Sequence, residues 1–243
     1  MGQYHIIDKN HLEKLINNID DYPDGIVINI NKPYIWTSSD VVRKLKFKFQ
    51  HFFNKKKLKV GHAGTLDPLA NGVLMICIGK ATKSADELQS HRKEYIAEIC
   101  FGATTPSFDL EKEIDAEYPY EHISRESIEN ILPKFIGELD QIPPIYSAKM
   151  IDGKRAYTIA RQGEEVEMKS SKVTIYNLEI LNFSSPKLLI RIECSKGTYI
   201  RSFARDIGEA LNSGAHLTNL TRSKSGDFTI ENSLTIEDID QIL

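Results

Sequence analysis

The hydrophobic period of the chain changes from two to 3.6 within a few residues near its C-terminal third. In "KLLIRIEC" Leu188, Ile190, Ile192 and Cys194 recur at every second position. In "IRSFARDIGEAL" Ile200, Phe203, Ile207 and Leu211 recur at helical spacing. The first pattern lines one face of a strand and the second one stripe of a helix. Gly197, in the connecting "SKGTY", provides the turn. Strand and helix must therefore share a core here, and the remaining segments decide how regularly they alternate.

They do not alternate regularly. "GIVINI" (25–30) reads as a strand ended by Asn31-Lys32-Pro33. "WTSSDVVRKLKFKFQHFF" predicts a helix capped by Thr37, Ser38 or Ser39, with Val41, Val42, Leu45 and Phe49 near helical spacing. "KEYIAEICFG" alternates as a strand with both faces partly covered, and "KVTIYNLEIL" is another strand. Residues 107–140 are acid-rich, with a helix capped near Ser124 and running towards Phe135, and read as a solvated face. No repeat or linker interrupts the chain. The expectation is one α+β domain over residues 1–243, with mixed or mostly antiparallel strands flanked by helices and loops.

With 243 residues, 41% of them hydrophobic and 27% charged, the chain has the composition of a soluble globular protein. Its longest apolar run, Val73 to Ile78, is too short to span a bilayer, and "MGQYHIIDKN" lacks the order of a signal peptide. A cytoplasmic address with no membrane contact is expected. Cys77, Cys100 and Cys194 are widely spaced and read as buried small hydrophobes. The histidines form no ligand pair on one helix face, so no metal is expected.

The net charge of −3 conceals a local asymmetry. Between Val41 and Leu66 there is no acid, while Arg43, Lys44, Lys46, Lys48, Lys55, Lys56, Lys57 and Lys59 supply cations. Phe47, Phe49, Phe52 and Phe53 lie among them. Such a segment suits a phosphate backbone with unstacked bases, and it equally suits a solvated amphipathic helix followed by a lysine loop.

"VGHAGTLDPLANGVL" (60–74) sets a single carboxylate, Asp67, among Gly61, Gly64 and Gly72, just before Pro68. The glycines permit conformations and close approaches that a side chain would block, and Pro68 pushes Asp67 away from helical geometry. The pattern describes a carboxylate on a rigid loop facing something bulky. It is also compatible with an aspartate that only caps a turn. A phosphate loop is disfavoured, because the spacing is wrong and a central acid would repel the phosphate.

This stretch resembles the GHxGxLDPxAxGxL motif of the TruB family of tRNA pseudouridine synthases. "KPYIWTSSDVV", "KEYIAEICFGATTPSFDLE", "QIPPIYSAKMIDGKRAYTIARQG", "CSKGTYIRSFARDIGEAL" and "GAHLTNLTRSKSGDF" resemble further blocks of that family, in family order. The resemblance implies the pseudouridine synthase fold and isomerisation of the T-loop uridine of tRNA, position 55, without metal or organic cofactor. The reaction cuts the glycosidic bond, turns the uracil and rejoins it through carbon. Asp67 takes the place of the family's reacting carboxylate, as a nucleophile at sugar or base or as a base removing a sugar proton. The uridine must be flipped out of the T arm to meet it.

The same resemblance assigns His62 to holding the opened RNA, Tyr95 to stacking on the uracil, Tyr199 to lining the substrate, and Arg201 to pairing with the carboxylate. Leu220 aligns with an apolar residue of the base pocket. Lys83 and Lys196 are phosphate partners by their positions. Read alone, His62 is a structural histidine, Tyr95 and Leu220 are core residues, Arg201 is a surface charge at a helix start, and the lysines are solvated. Asp109 falls at a family acid with no role assigned. Ile35 and Trp36 stand where many members have Gly and a small or aliphatic residue, and Asn31 and Asn71 also depart from common choices. The expected partner is tRNA alone, bound by a monomer with no obligatory protein partner. A minimal catalytic core without a small C-terminal RNA-binding domain is expected, leaning on its own basic segment.

Overall fold

Thr37 starts the longest helix by satisfying a backbone N–H that the first helical turn leaves without a partner. Its hydroxyl accepts from the Asp40 N–H (3.0 Å) and the Asp40 carboxylate accepts from the Thr37 N–H (2.9 Å). A reciprocal cap of this kind is worth about 1 kcal/mol. Helix α1 (Ser38–Phe52) then buries Val41, Leu45 and Phe49 completely, each contributing about 2 kcal/mol by removal from water. The computed structural model describes residues 4–147, 149–151, 153–161 and 168–243. Of the block at 141–163, residues Ala148, Asp152, Gln162 and Gly163 lie outside the described residues.

The chain forms two units, Met1–Tyr95 with Thr221–Leu243, and Ile96–Leu220. In the first, β1 (His5–Ile7) runs parallel to β2 (Ile26–Lys32), and β2 pairs antiparallel with β4 (Ala70–Ile78). The other edge of β4 takes β3 (Val60–Ala63), also antiparallel, with His62 opposite Ile76. A 3-10 turn (Gly79–Ser84) leads into α2 (Ala85–Ser90) and then β5 (Lys93–Phe101). Val27, Val73, Met75, Cys77, Leu88 and Phe228 form an apolar cluster of this unit.

The chain passes into the second unit within β5, after Tyr95. There β6 (Ala103–Thr104) pairs with β7 (Ala116–Glu117), closing an acid-rich loop. Ser124 caps α3 (Arg125–Ile131), its hydroxyl accepting from the Ser127 N–H at 3.1 Å. After β8 (Gly137–Gln141), the short pair β9 (Met150–Ile151) and β10 (Lys154–Arg155) precedes α4 (Ala156–Arg161). Strand β11 (Ser171–Ser184) lies antiparallel between β8 and β12 (Lys187–Cys194), and α5 (Ile200–Ala210) follows the Gly197 turn. Strand β13 (Ala215–Ser225) returns to the first unit after Leu220 and is followed by β14 (Phe228–Thr229) and α6 (Ile239–Ile242).

The strands are mixed and mostly antiparallel, so the α+β class and the period change at Gly197 are as expected. Leu188, Ile190, Ile192 and Cys194 are all fully buried, and so is Ile207 on α5. Three expectations need correction. The first strand runs on through Asn31 to Lys32, because these residues continue the antiparallel ladder opposite Val73 and Gly72 of β4. Cys100 is half-buried, since it lies on the opposite face of β5 from Tyr95, Ala97, Ile99 and Phe101. The 107–140 segment is not uniformly solvated: Ser107 and Asp109 are buried. Among the described residues, no helix is long and apolar enough to cross a membrane.

Candidate active site

The loop between β3 and β4 holds Asp67 half-buried, with Leu66 before it and Pro68 after it both fixed through their backbones. On one side, Ser38 at the start of α1 accepts from the Leu66 N–H (2.9 Å) and donates to the Leu66 carbonyl (3.1 Å). On the other, the Pro68 carbonyl accepts from the Ile35 N–H (2.8 Å) and from the Lys32 ammonium (3.3 Å). The Asp67 carbonyl closes the turn by accepting from the Ala70 N–H at 3.1 Å. A carboxylate held this way costs little further ordering when a substrate arrives.

Arg222, only 1% exposed, holds the near end of the loop. Its guanidinium donates to the carbonyls of Val73 (2.7 Å), Gly64 (2.9 Å) and Thr65 (3.4 Å). Gly72 is required here twice over: its φ is +105°, and a Cβ would lie 2.3 Å from the Arg222 carbonyl oxygen. Gly64, at φ +93°, also needs its freedom. Gly61 does not, since its φ is not in the left-handed region and a Cβ would meet nothing within 4 Å, so that part of the sequence argument is corrected.

Lys32 is fully buried and donates to the carbonyls of Pro33 (2.8 Å), Trp36 and Pro68. Burial pulls its ammonium down from the usual lysine range to about 8, against an upward pull from nearby Asp67. Between that value and the ordinary lysine pKa of about 10.4 the unfolded chain binds more protons, so this site adds stability as pH rises through the window. The neutral amine, however, has only two N–H donors for three carbonyls. The expected result is a several-fold fall in kcat above about pH 8 with no parallel loss of thermal stability. Matched pH profiles of rate and denaturation temperature check it, and a joint decline would refute it.

In the second unit, Arg201 opens α5 and is 2% exposed. Its Nε lies 3.6 Å from the Asp109 carboxylate, while its other nitrogens donate to the carbonyls of Ser107 (3.2 Å) and Tyr146 (3.0 Å). The reading of Arg201 alone as a surface charge is therefore wrong, because its neighbours supply the acceptors that make burial tolerable. Asp109, which the sequence left without a role, is thus the buried carboxylate beside that guanidinium. The hydroxyls of Thr105 and Ser107 both donate to the Asp109 carbonyl (2.7 and 3.1 Å), which curls the segment inward. Tyr199, the N-cap residue of α5, donates its N–H to Gln141 Oε1 (2.8 Å) and accepts from Gln141 Nε2 (3.1 Å) at its carbonyl.

His62, half-buried on β3, and Tyr95, buried on β5, belong to the same unit as Asp67. Tyr199, Arg201, Asp109, buried Leu220 and exposed Lys196 belong to the other. Lys83 is exposed and meets part of the basic run: with Lys55, Lys57, Lys59 and Lys80 it lines a cleft of about 490 Å³. The aromatic part of the run is only partly available. Phe49 and Phe53 are buried and stack at 6.0 Å, Phe52 is half-buried, and Phe47 is 75% exposed.

Sequence reasoning missed Lys32, Ser38 and Arg222 as positioning residues. For Arg222 a signal existed: it stands two residues after Leu220 on a strand, and so on the same, buried face. Lys32 carried no comparable signal, because its partners are backbone carbonyls that any sequence supplies.

Residues 50–200 match the TruB family pseudouridylate synthase (N terminal domain), and residues 201–243 the tRNA pseudouridylate synthase B C-terminal domain. The chain is 57% identical over 217 residues to a tRNA pseudouridine synthase B of Phocaeicola vulgatus, covering 89% of this chain and 92% of that one. It is 54% identical over 223 residues to the protein of that name from Parabacteroides distasonis, covering 92% and 95%. Among solved structures, a Cbf5-Nop10-Gar1 complex matches with a TM-score of 0.69 at 27% identity, covering 99% of this chain and 59% of that one. An H/ACA RNP bound to a substrate RNA containing 2'-deoxyuridine matches at 0.64 and 28%, covering 90% and 53%. This chain thus spans little more than half the length of those two structural relatives. The fold is that of the pseudouridine synthases, and the chain belongs to the TruB family of pseudouridylate synthases.

Proposed function

We propose that this protein converts the T-loop uridine of tRNA, uridine 55, to pseudouridine. The observation that carries the reading is Asp67, set in the family motif on a loop whose backbone is held by Ser38 and Lys32 on its two sides and by Arg222 at its base. In the reaction the N1–C1′ bond of the nucleotide breaks and a C5–C1′ bond forms. The proton on C5 is lost and N1 regains one, so no oxidant or reductant is consumed. Asp67 serves as the reacting carboxylate in either of its two chemical forms, nucleophile or base.

Tyr95, Tyr199 and Leu220 receive the flipped base, with aromatic faces and apolar surface replacing its stacking partners. His62 holds the opened RNA, and Arg201 pairs with the reacting carboxylate. Lys83 and Lys196 bind phosphates, and for Lys83 the charge of the lysine-lined cleft that contains it supports the assignment. The reading takes residues 1–243 as one catalytic domain, acting in the cytoplasm as a monomer on the T arm, with no cofactor and no obligatory protein partner. The names of the relatives from Phocaeicola and Parabacteroides support tRNA as the substrate.

The test is incubation of the purified protein with an unmodified tRNA transcript, followed by mapping of pseudouridine at nucleotide resolution. Product at uridine 55 alone is the expected result. Product at another position, or none, would overturn the assignment.

A further inference from the structure

Ile35 has a backbone φ of +73°, a region that β-branched residues almost never occupy, and its side chain is 68% exposed. Burial of its own side chain therefore does little to repay that conformation. Trp36 beside it is 36% exposed, and Phe47, two and a half turns along α1, is 75% exposed. Ile35, Trp36 and Phe47 line a cleft of about 530 Å³ together with Asp40, Arg43 and Lys44. Arg43 is ion-paired with Asp40 here, and Lys44 adds a second cation beside a floor that is apolar and aromatic. The cleft is also tied to the catalytic loop by its backbone, since the Ile35 N–H and the Lys32 that binds the Trp36 carbonyl both meet the Pro68 carbonyl.

We infer that this cleft seats an unstacked nucleotide of the substrate RNA next to the one that reacts, its base against Trp36 and Phe47 and its phosphate near Arg43 and Lys44. The inference deepens the proposed function and rests on it. Aromatic faces accept any base, and cations within the same cleft select a polyanion over an apolar protein segment. The outward isoleucine extends the apolar floor. Glycine at this position would suit the backbone and leave the floor short.

Trp36 is the single tryptophan of the chain, so its fluorescence reports on this cleft alone. The experiment titrates the protein with unmodified tRNA transcript. It follows binding by anisotropy of labelled RNA, shielding of Trp36 from acrylamide, and pseudouridine formation. Shielding should rise with the same midpoint as binding. Phe47→Ala should raise KM about tenfold with kcat unchanged, as expected for loss of one stacking face. Ile35→Gly should raise KM several-fold while raising Tm by about 2–4 °C, because the strain is relieved.

Trp36 equally accessible in saturating tRNA and in buffer, or an unchanged KM in Phe47→Ala, would overturn the inference. Shielding that grows with protein concentration in the absence of RNA would assign the cleft to contact between copies, and would also overturn it. Shielding by tRNA without any pseudouridine would instead refute the proposed reaction and leave the cleft an RNA site.

Discussion

Asp67→Asn lowers the single-turnover rate of pseudouridine formation by about a thousandfold or more, while tRNA affinity changes by less than about threefold. Asparagine has nearly the shape of aspartate, and it keeps the backbone bonds by which Ser38, Lys32 and Arg222 hold the loop. The substitution removes the charge and the nucleophilic or basic oxygen. Rapid mixing of excess enzyme with transcript separates this from a binding defect. A rate within tenfold of the native protein would remove Asp67 from the chemistry and return it to the role of a turn residue.

Asp109→Ala lowers the unfolding free energy by about 3 kcal/mol, because it takes a carboxylate away from a guanidinium that is 2% exposed. For a chain of this size that is a fall of about 10 °C in Tm. The same substitution also removes the acceptor of the Glu111 N–H (2.9 Å), which Asp109→Asn keeps, so the asparagine variant should lose less. The double variant Asp109→Leu with Arg201→Met recovers much of the stability, since an apolar pair of similar volume needs no desolvated charge. Activity does not recover with it if the Arg201 guanidinium acts in the reaction, because the double variant lacks that group. Equal recovery of stability and rate would show the pair to be structural only.

Much of the loop that carries Asp67 was legible because local chemistry decides it. Gly72 and the Asp67-Pro68 step constrain their own backbone through torsions that neighbouring residues cannot change. Thr37 and Asp40 cap α1 for the same reason. The period change across Gly197 located β12 and α5, because burial on one face leaves its imprint on every second residue and then on every third or fourth.

Burial of charge was not legible. Lys32, Arg201 and Arg222 have the sequence appearance of surface cations, and each is buried because carbonyls from distant segments converge on it. Gly61 shows the reverse error, since a glycine inside a motif looked conformationally necessary and its surroundings are open. Among the four phenylalanines of the basic run, helical phase alone placed Phe49 inside. Only the folded chain shows Phe47 sharing a cleft with Trp36, and Ile35 itself holding a positive φ at a position where many family members have Gly.

The amino-acid sequence by itself determined the α+β class, the capped starts of α1 and α3, the turn at Gly197, and the loop that carries Asp67. These follow from torsional preference and hydrophobic period, which act over a few residues. Tertiary structure alone decided what holds that loop, what holds Arg201, and which aromatic residues face outward. Those outcomes depend on backbone carbonyls brought together across as many as 158 positions of the chain, as between Arg222 and Gly64. Carbonyls are common to every residue and leave no mark in the sequence.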